Sequence, residues 1–125
     1  MILLDSNLLI EASRPQHRLI GRWLDEIEFA ISEITIVETL GFPRIDPVEL
    51  RDLEAYIALM SVLPVNRPII DCAVLRRQQR RMSLGDALIA ATALVYELPL
   101  ATRNTRDFRH VDGLILADVP TDDEA

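Results

Sequence analysis

The sequence has no lysine, only one cysteine and no long hydrophobic run, and each absence excludes something. All 13 positively charged residues are therefore arginines. The lone Cys72 excludes a disulfide within the chain, and we expect it to be a buried packing residue. No apolar stretch approaches the roughly 18 residues that a membrane-spanning helix needs. The N-terminus has no basic segment before its apolar residues, so we expect no signal peptide and a cytoplasmic protein without a membrane partner.

The chain is acidic, but its positive charges are clustered. Its 125 residues carry a formal net charge of −7, and 50% of them are hydrophobic, which indicates a single globular domain. An acidic protein repels polyanions at long range. Arginines nevertheless concentrate at 76–81 and 103–109, while the acidic C-terminus inflates the net value. The composition therefore allows local binding of nucleic acid.

Short apolar strands alternate with helices along the chain. The predicted strands are "MILL", "EFAIS", "LPV", "PLAT" and "GLILAD". Helices are predicted over "NLLIEA" and over residues 15–27, 33–42, 46–63, 68–81 and 83–98, with a loop after "PLAT". The helix over 83–98 is apolar on nearly every face and should be central and buried. This alternation indicates an α/β fold with a mainly parallel sheet, whose functional groups gather where the strands end.

Four acidic residues stand in or beside these apolar segments. Asp5 follows the first strand, Glu38 lies in the helix after the second, Asp86 begins the most apolar helix, and Asp107 follows "PLAT". Taken singly, each has an ordinary explanation. Asp5 suits an N-cap and Asp86 suits the first turn of a helix capped by Ser83, while the other two suit solvated acids.

Taken together, the four acids predict a metal site. A parallel sheet brings them toward one cleft, where carboxylates repel one another unless they are neutralised. A hard divalent cation, Mg²⁺ or as a substitute Mn²⁺, is the usual remedy, and it can activate a water and bind a phosphate. His17 and His110 lack metal-ligand spacing and are expected at the surface, and no Cys/His zinc pattern exists.

Four stretches carry a resemblance to a known family. In order, "LLDSNLLI", "ISEITIVETLGF", "SLGDALIAATA" and "LATRNTRDF" resemble the four acidic motifs of the PIN-domain nucleases, and their spacing resembles the VapC toxins of toxin–antitoxin pairs. The resemblance covers residues 1–118, taken as a PIN domain, and leaves 119–125 as an acidic C-terminal tail. It implies a PIN-like α/β/α sandwich, a homodimer, Mg²⁺-dependent endoribonuclease activity on RNA and a cognate antitoxin that blocks the site.

The resemblance also assigns roles to individual residues. Asp5, Glu38 and Asp86 match the three principal acids, and Asp107 matches the fourth and least regular one. Ser6 stands where threonine is more usual and keeps a hydroxyl able to hydrogen-bond the Asp5 carboxylate, and Asn7 is expected to fix the strand-to-helix turn. Ser6, Asn7 and Asn104 are also candidates for binding the substrate. Asn104 stands where some relatives place an acid, so either Asn104 or Asp107 completes the site. Arg103 and Arg106 are candidates for holding neighbouring phosphates, or are solvated loop charges.

Three other classes of protein also place acidic residues at the strand ends of an α/β fold. A phosphoacceptor signalling domain needs an active-site lysine, which the chain lacks. A phosphatase with an aspartyl nucleophile needs a second aspartate two residues after the first, where this chain has Asn7. A catalytically inactive RNA- or protein-binding module on the PIN fold stays open, although all four acids are present.

Overall fold

The chain folds around a small sheet whose strands each lead into a helix or a short loop. The computed structural model describes residues 1–14, 16 and 18–121. The strands are β1 (Ile2–Leu4), β2 (Phe29–Ser32), β3 (Ser61–Leu63) and β4 (Leu100–Ala101). The helices are α1 (Ser6–Ser13), α2 (Arg18–Glu26), α3 (Glu33–Leu40), α4 (Pro47–Ala58), α5 (Arg67–Gln79), α6 (Leu84–Val95) and α7 (Thr105–Phe108).

The sheet is parallel throughout and has the strand order β3-β2-β1-β4. Successive residues of each strand face opposite sides, as the two-residue period of a strand requires. Leu3 and Leu100 pack into one hydrophobic cluster, and their neighbours Leu4 and Ala101 pack into the other. The predicted α/β/α sandwich with a parallel sheet is therefore confirmed.

Helix α6 is the central helix of the first layer. Its buried residues are Ala87, Ile89, Ala90, Ala91, Thr92 and Ala93, as its apolar sequence predicted. Because the alanine side chains are small, the elements that cover this helix can pack close to it. Helix α5 packs along α6, with Ile69 and Ala73 as its buried residues.

The second layer is formed by α1, α2 and α4. Leu8 and Leu9 of α1, Ile20 of α2 and Leu53 of α4 are all within 1% of full burial. Trp23 packs edge-on against Phe29 of β2, with ring centroids 5.1 Å apart. Cys72 lies in the opposite layer, where it is half-buried against the core instead of fully buried.

Two predicted boundaries were wrong. The helix predicted over 46–63 ends at Ala58, and the third strand is Ser61–Leu63 instead of "LPV". The apolar run there suits either state, and backbone pairing decides, because Ala30 of β2 aligns with Ser61.

The expected final strand and final loop also differ from the structure. "GLILAD" forms only an isolated bridge between Leu116 and Leu100, since the two-residue β4 offers no further backbone partners. The loop expected after "PLAT" contains the short helix α7. Within residues 1–14, 16 and 18–121, no helix combines the length and apolar character required to cross a membrane.

Candidate active site

Asp5 stands at the carboxyl end of β1 and caps helix α1. Its backbone is extended, and its Oδ1 accepts a hydrogen bond of 2.8 Å from the backbone N–H of Ser6. The residue is only 5% exposed. Asp5 therefore caps α1, as expected. Burial of a carboxylate is electrostatically costly, however, and an N-cap does not need to be buried.

Thr102, directly after β4, holds the other oxygen of Asp5. Its hydroxyl donates to Asp5 Oδ2 at 2.7 Å and accepts from the backbone N–H of Asn104 at 3.0 Å. The sequence analysis missed this residue. Its position directly after a buried strand, at the sheet edge that carries Asp5, was the signal that could have found it.

Glu38 reaches the same place from helix α3. The hydroxyl of Ser6 donates to Glu38 Oε1 at 2.7 Å and lies 3.2 Å from the hydroxyl oxygen of Thr35. Ser6 and Thr35 are both buried, whereas Glu38 is exposed. The expectation that the Ser6 hydroxyl bonds the Asp5 carboxylate was wrong: the hydroxyl bonds Glu38, and the backbone N–H of Ser6 bonds Asp5.

Gly85 lets Glu38 approach helix α6. A Cβ atom at position 85 would lie inside contact distance of Glu38 Oε2 and 3.1 Å from its Cδ. The absence of a side chain at Gly85 thus keeps the Glu38 carboxylate beside the first turn of α6. Sequence analysis did not single out this glycine, since it stands inside a helical motif.

Asp86 lies in that first turn of α6. Ser83 caps the helix by accepting from the backbone N–H of Asp86 at 3.1 Å, as predicted. Partial burial raises the pKa of Asp86 above its ordinary value, and the negative charges of Asp5 and Asp107 raise it further against the opposing effect of Ser83. The cap is real, and a functional role is compatible with it.

Burial also raises the pKa of Asp5, although the hydrogen bonds from Thr102 and Ser6 oppose this effect. The charges of Glu38 and Asp107 raise it further. The electrostatic coupling thus links Asp5 with Glu38, Asp86 and Asp107. These four residues, which we call the acidic cluster, come together at the predicted edge of the sheet.

Asp107 belongs to the cluster through helix α7, and Asn104 precedes that helix. The charge of Asp107 acts on both Asp5 and Asp86. Asn104 holds Thr102 through its backbone N–H, and its side chain makes no capping bond to α7. Asp107 thus interacts electrostatically with the other acids, whereas Asn104 contributes a backbone hydrogen bond to Thr102.

The remaining predicted site residues lie around the cluster. Arg103 bonds Glu11 at 2.6 Å and the carbonyl of Pro120 at 2.9 Å, which ties the loop after β4 to α1. Asn7 in the first turn of α1 and Arg106 in α7 are exposed to solvent. Their assignment to substrate binding stays a prediction.

Among the described residues, His110 does not join the cluster as a metal ligand. His17 lies outside the described residues. His110 is half-buried, so its expected surface position was wrong. Both of its ring nitrogens are buried without a hydrogen-bond partner in the described structure.

The donor set suits a hard divalent cation. The acidic cluster supplies only carboxylate oxygens, the ligands that Mg²⁺ and Mn²⁺ prefer. Within the described part of the chain, no three acidic, histidine or cysteine side chains are arranged in ligating geometry. Repulsion among carboxylates opposes such a close arrangement when no positive charge is present.

Comparison with known proteins places this geometry in context. Residues 2–114 match the family described as PIN domain. The chain is 37% identical to Ribonuclease VapC10 of Mycobacterium tuberculosis over 86% of both chains, and 28% identical to Ribonuclease VapC of Rickettsia bellii over 98% of both. A solved toxin–antitoxin complex from Klebsiella pneumoniae contains a chain that superposes with a TM-score of 0.76 at 29% identity, covering 92% of this chain and 96% of that one.

Proposed function

Because the chain belongs to the PIN-domain family, we propose that it is a metal-dependent endoribonuclease and the toxin of a toxin–antitoxin pair. The relatives named Ribonuclease VapC support the reaction, and the similar toxin–antitoxin complex supports the pairing. The observation that carries the proposal is the acidic cluster, in which charges from four separate segments act on one another.

The acidic cluster would hold Mg²⁺, with Mn²⁺ as a substitute. When bound, such a cation supplies Lewis acidity for phosphodiester hydrolysis and neutralises charge on the phosphate. The raised pKa values of Asp5 and Asp86 support this proposal, because they show that the ionised carboxylates are destabilised in the absence of positive charge. A cation relieves that destabilisation and gains affinity from it.

The protein's own hydroxyl groups prepare the site for the cation. Thr102 and the backbone of Ser6 fix both oxygens of Asp5, and the Ser6 hydroxyl fixes one oxygen of Glu38. Groups that orient metal ligands in this way reduce the reorganisation needed for binding and catalysis. The reaction adds a water oxygen to phosphorus and breaks a P–O bond of the RNA backbone.

Cleavage of an unstructured RNA by the purified protein, with Mg²⁺ or with EDTA, tests the proposal. We expect Asp5→Asn and Asp86→Asn to lose more than about 100-fold in rate, since even partners that only orient a metal ligand contribute about 10- to 100-fold. Asp25→Asn, an exposed change on α2, is the matched control and should cut RNA normally.

Three results would contradict the ribonuclease assignment. An Asp86→Asn protein that cuts at the wild-type rate, or cleavage that continues in EDTA, would contradict the assignment. A wild-type protein that binds RNA and never cuts it would instead be the catalytically inactive binding module.

We propose that the antitoxin inhibits by presenting an arginine to the acidic cluster. A guanidinium can pair with two carboxylate oxygens and competes with a metal for them. A groove of about 110 Å³ between α1, α3 and α4 supports a docking site; Ile10, Phe42 and Leu53 supply apolar lining. Co-expression with the neighbouring small gene should relieve growth arrest, whereas a toxin that is harmless alone would contradict the pairing.

We also propose that the protein is a homodimer. Helix α6 packs against both α3 and α5, and the three helices expose large apolar side chains, namely Val37, Ile70, Val74 and Leu84. Exposed apolar groups on neighbouring elements are typical of association surfaces. Light scattering should report a dimer for the wild type and a monomer for Val74→Glu, and a wild-type monomer would contradict the proposal.

A further inference from the structure

A polar cavity of about 240 Å³ lies between the C-terminal end of α5 and the segment after α7. Its polar lining is Arg76, Gln79, Arg80, His110 and Asp112. This cavity contains none of the acidic cluster, and the proposed reaction does not use it. It does contain part of the arginine group at 76–81 that stood out in the sequence.

Buried nitrogens beside this cavity lack hydrogen-bond partners. Arg76 Nε and both ring nitrogens of His110 have atomic exposures below 1 Å² and no partner in the described structure. An unsatisfied buried polar group destabilises the folded protein, and most buried polar atoms in native proteins are paired. Three such atoms on two residues of one cavity leave hydrogen-bonding capacity beside it that no described residue satisfies.

The charge of the lining favours an anionic partner. Two guanidinium groups, Arg76 and Arg80, face one carboxylate, Asp112, so the lining carries a net positive charge in a protein of net charge −7. Within the described residues, neither arginine forms a salt bridge. Arg77, by contrast, donates from Nε to the carbonyl of Met82 at 3.2 Å, which holds the turn between α5 and α6.

The cavity lies beside the acidic cluster. Met82 lines it and precedes Asp86 by four residues, and His110 follows Asp107 by three. An extended chain spans at most about 3.6 Å per residue, so both links are shorter than about 15 Å. An RNA with one phosphate at the acidic cluster is therefore long enough to reach the cavity within a few nucleotides.

We propose that this cavity binds a backbone phosphate of the RNA adjacent to the scissile one. The inference rests on the proposed ribonuclease function and assigns part of its substrate site. The cavity is smaller than the roughly 300–1,000 Å³ of typical small-molecule sites, which suits a phosphate better than a nucleotide. Arginine pairs with phosphate oxygens bidentately, and a change of rotamer at Arg76 and His110 brings their covered nitrogens to the ligand.

The first test compares two double variants with the same change in charge. Arg76→Gln/Arg80→Gln removes the guanidinium groups of the cavity, and Arg22→Gln/Arg51→Gln removes two exposed ones on α2 and α4 that do not line it. In Mg²⁺, the cavity variant should raise KM about tenfold with kcat unchanged, the size expected for charge-assisted bonds to one phosphate. The control variant should keep the wild-type KM, and thermal melts should show both variants folded.

The second test measures affinity without cleavage. Binding of a fluorescent single-stranded RNA to Asp86→Asn in EDTA should weaken about tenfold when the cavity arginines are replaced. The slope of log affinity against log salt should flatten by about 0.7 for each lost phosphate contact. Because Arg80 is exposed and lies beyond the last residue of α5, Arg80→Gln alone provides a second variant if the double one fails to fold.

Proton NMR distinguishes the RNA backbone from free phosphate. The chain has two histidines, so a His17→Gln variant assigns the His110 ring resonances directly. We expect RNA to shift these resonances at concentrations where inorganic phosphate alone does not, and the shift should disappear in the cavity variant. A response to inorganic phosphate without a response to RNA would overturn the proposal.

The remaining outcomes separate this inference from the proposed function. Equal losses in the cavity and control variants would indicate general electrostatics and overturn the subsite. Unchanged RNA affinity with weakened antitoxin binding would also overturn it, because the cavity would then serve a protein partner. An arginine-dependent RNA affinity in a protein that never cuts RNA would support the subsite and contradict the ribonuclease function.

Discussion

Gly85 and Glu38 form the tightest steric relationship in the acidic cluster. Glu38 crosses from α3 to the start of α6, and only a residue without a side chain leaves its carboxylate room beside α6. A glycine inside a helix destabilises it by about 0.5–1 kcal/mol relative to alanine. Gly85 therefore gives the Glu38 carboxylate room beside the start of α6.

Gly85→Ala should displace Glu38 and reduce RNA cleavage while the protein stays folded. The added Cβ would clash with the Glu38 carboxylate, so this side chain must shift away from α6. Gly21→Ala is a matched control, because its added Cβ would meet only the Tyr56 hydroxyl oxygen at 3.9 Å. Cleavage rates and melting temperatures check both variants; normal cleavage by Gly85→Ala would show that Glu38 need not occupy this position.

The raised pKa values of Asp5 and Asp86 determine the direction in which the free energy of unfolding changes with pH. Between the ordinary pKa of 3.8 and the raised one, the folded protein binds more protons than the unfolded chain. The free energy of unfolding contributed by these groups therefore falls as the pH rises through that window.

Asp86→Asn should gain stability relative to the wild type as the pH rises from below 3.8 towards neutrality, measured in EDTA. The variant removes one ionising carboxyl and its repulsion of Asp5, so the wild type loses more stability than the variant over this range. Melting temperatures across this range check the prediction, with the exposed Asp25→Asn as control. If the difference in melting temperature between Asp86→Asn and the wild type were the same at every pH, the prediction would be contradicted.

At the scale of single elements, the start of α6 combines a structural cap with a site residue. Ser83 accepts from the backbone N–H of Asp86, so one hydrogen bond both begins the helix and positions the residue that carries the carboxylate. The predicted cap is therefore confirmed, and it is compatible with the proposed metal-binding role of Asp86. The same holds at α1, where Asp5 is cap and site residue together.

Ser83→Ala should lower the free energy of unfolding by about 1 kcal/mol, the usual cost of a lost N-cap. Ser83→Thr keeps a hydroxyl acceptor and should recover most of this loss. Urea denaturation measures both changes. If alanine and threonine were equally stable at this position, the hydrogen bond from Asp86 would not contribute to stability.

Some element boundaries can be predicted from nearby residues, and others depend on distant parts of the chain. The caps at Asp5 and Ser83 were predicted and observed, because each cap depends on a side chain within three residues of its backbone partner. The start of β3 was misplaced, because it depends on alignment with Ala30 on another strand. Local chemistry determines helix starts, whereas a distant partner determines the ends of strands.

At the scale of the whole molecule, the parallel sheet brings negative charge to one edge. Residues 5, 38, 86 and 107 are far apart in the chain, yet their charges interact. The repulsion destabilises the folded state, since the unfolded chain separates these groups. A cation that binds only the folded protein must therefore stabilise it.

Mg²⁺ or Mn²⁺ should raise the melting temperature of the wild type more than that of Asp86→Asn. A ligand at a concentration of about 100 Kd contributes about 2.7 kcal/mol to the free energy of unfolding. Removing one carboxylate weakens binding and reduces this gain, while Asp25→Asn should respond like the wild type. Thermal shift measurements at constant ionic strength check the difference, and equal shifts in all three proteins would indicate nonspecific ion effects.

The sequence alone determined the fold class, the central helix and the four members of the acidic cluster. Apolar strands alternating with helices require a sandwich, because each face of the sheet must be covered. Asp5, Asp86 and Asp107 follow strands or begin helices, so the parallel topology predicts their common edge without any coordinates. These conclusions depend on periodicity and position along the chain, which a sequence displays directly.

Tertiary structure decided how the cluster is held and what lies beside it. Thr102 bonds Asp5 across 97 positions of sequence, and Gly85 makes room for a glutamate 47 positions earlier. The cavity of Arg76 and His110 likewise joins segments separated by two helices and a strand. Such contacts depend on how packed layers bring side chains within a few ångströms of one another, and a linear pattern contains no such distances.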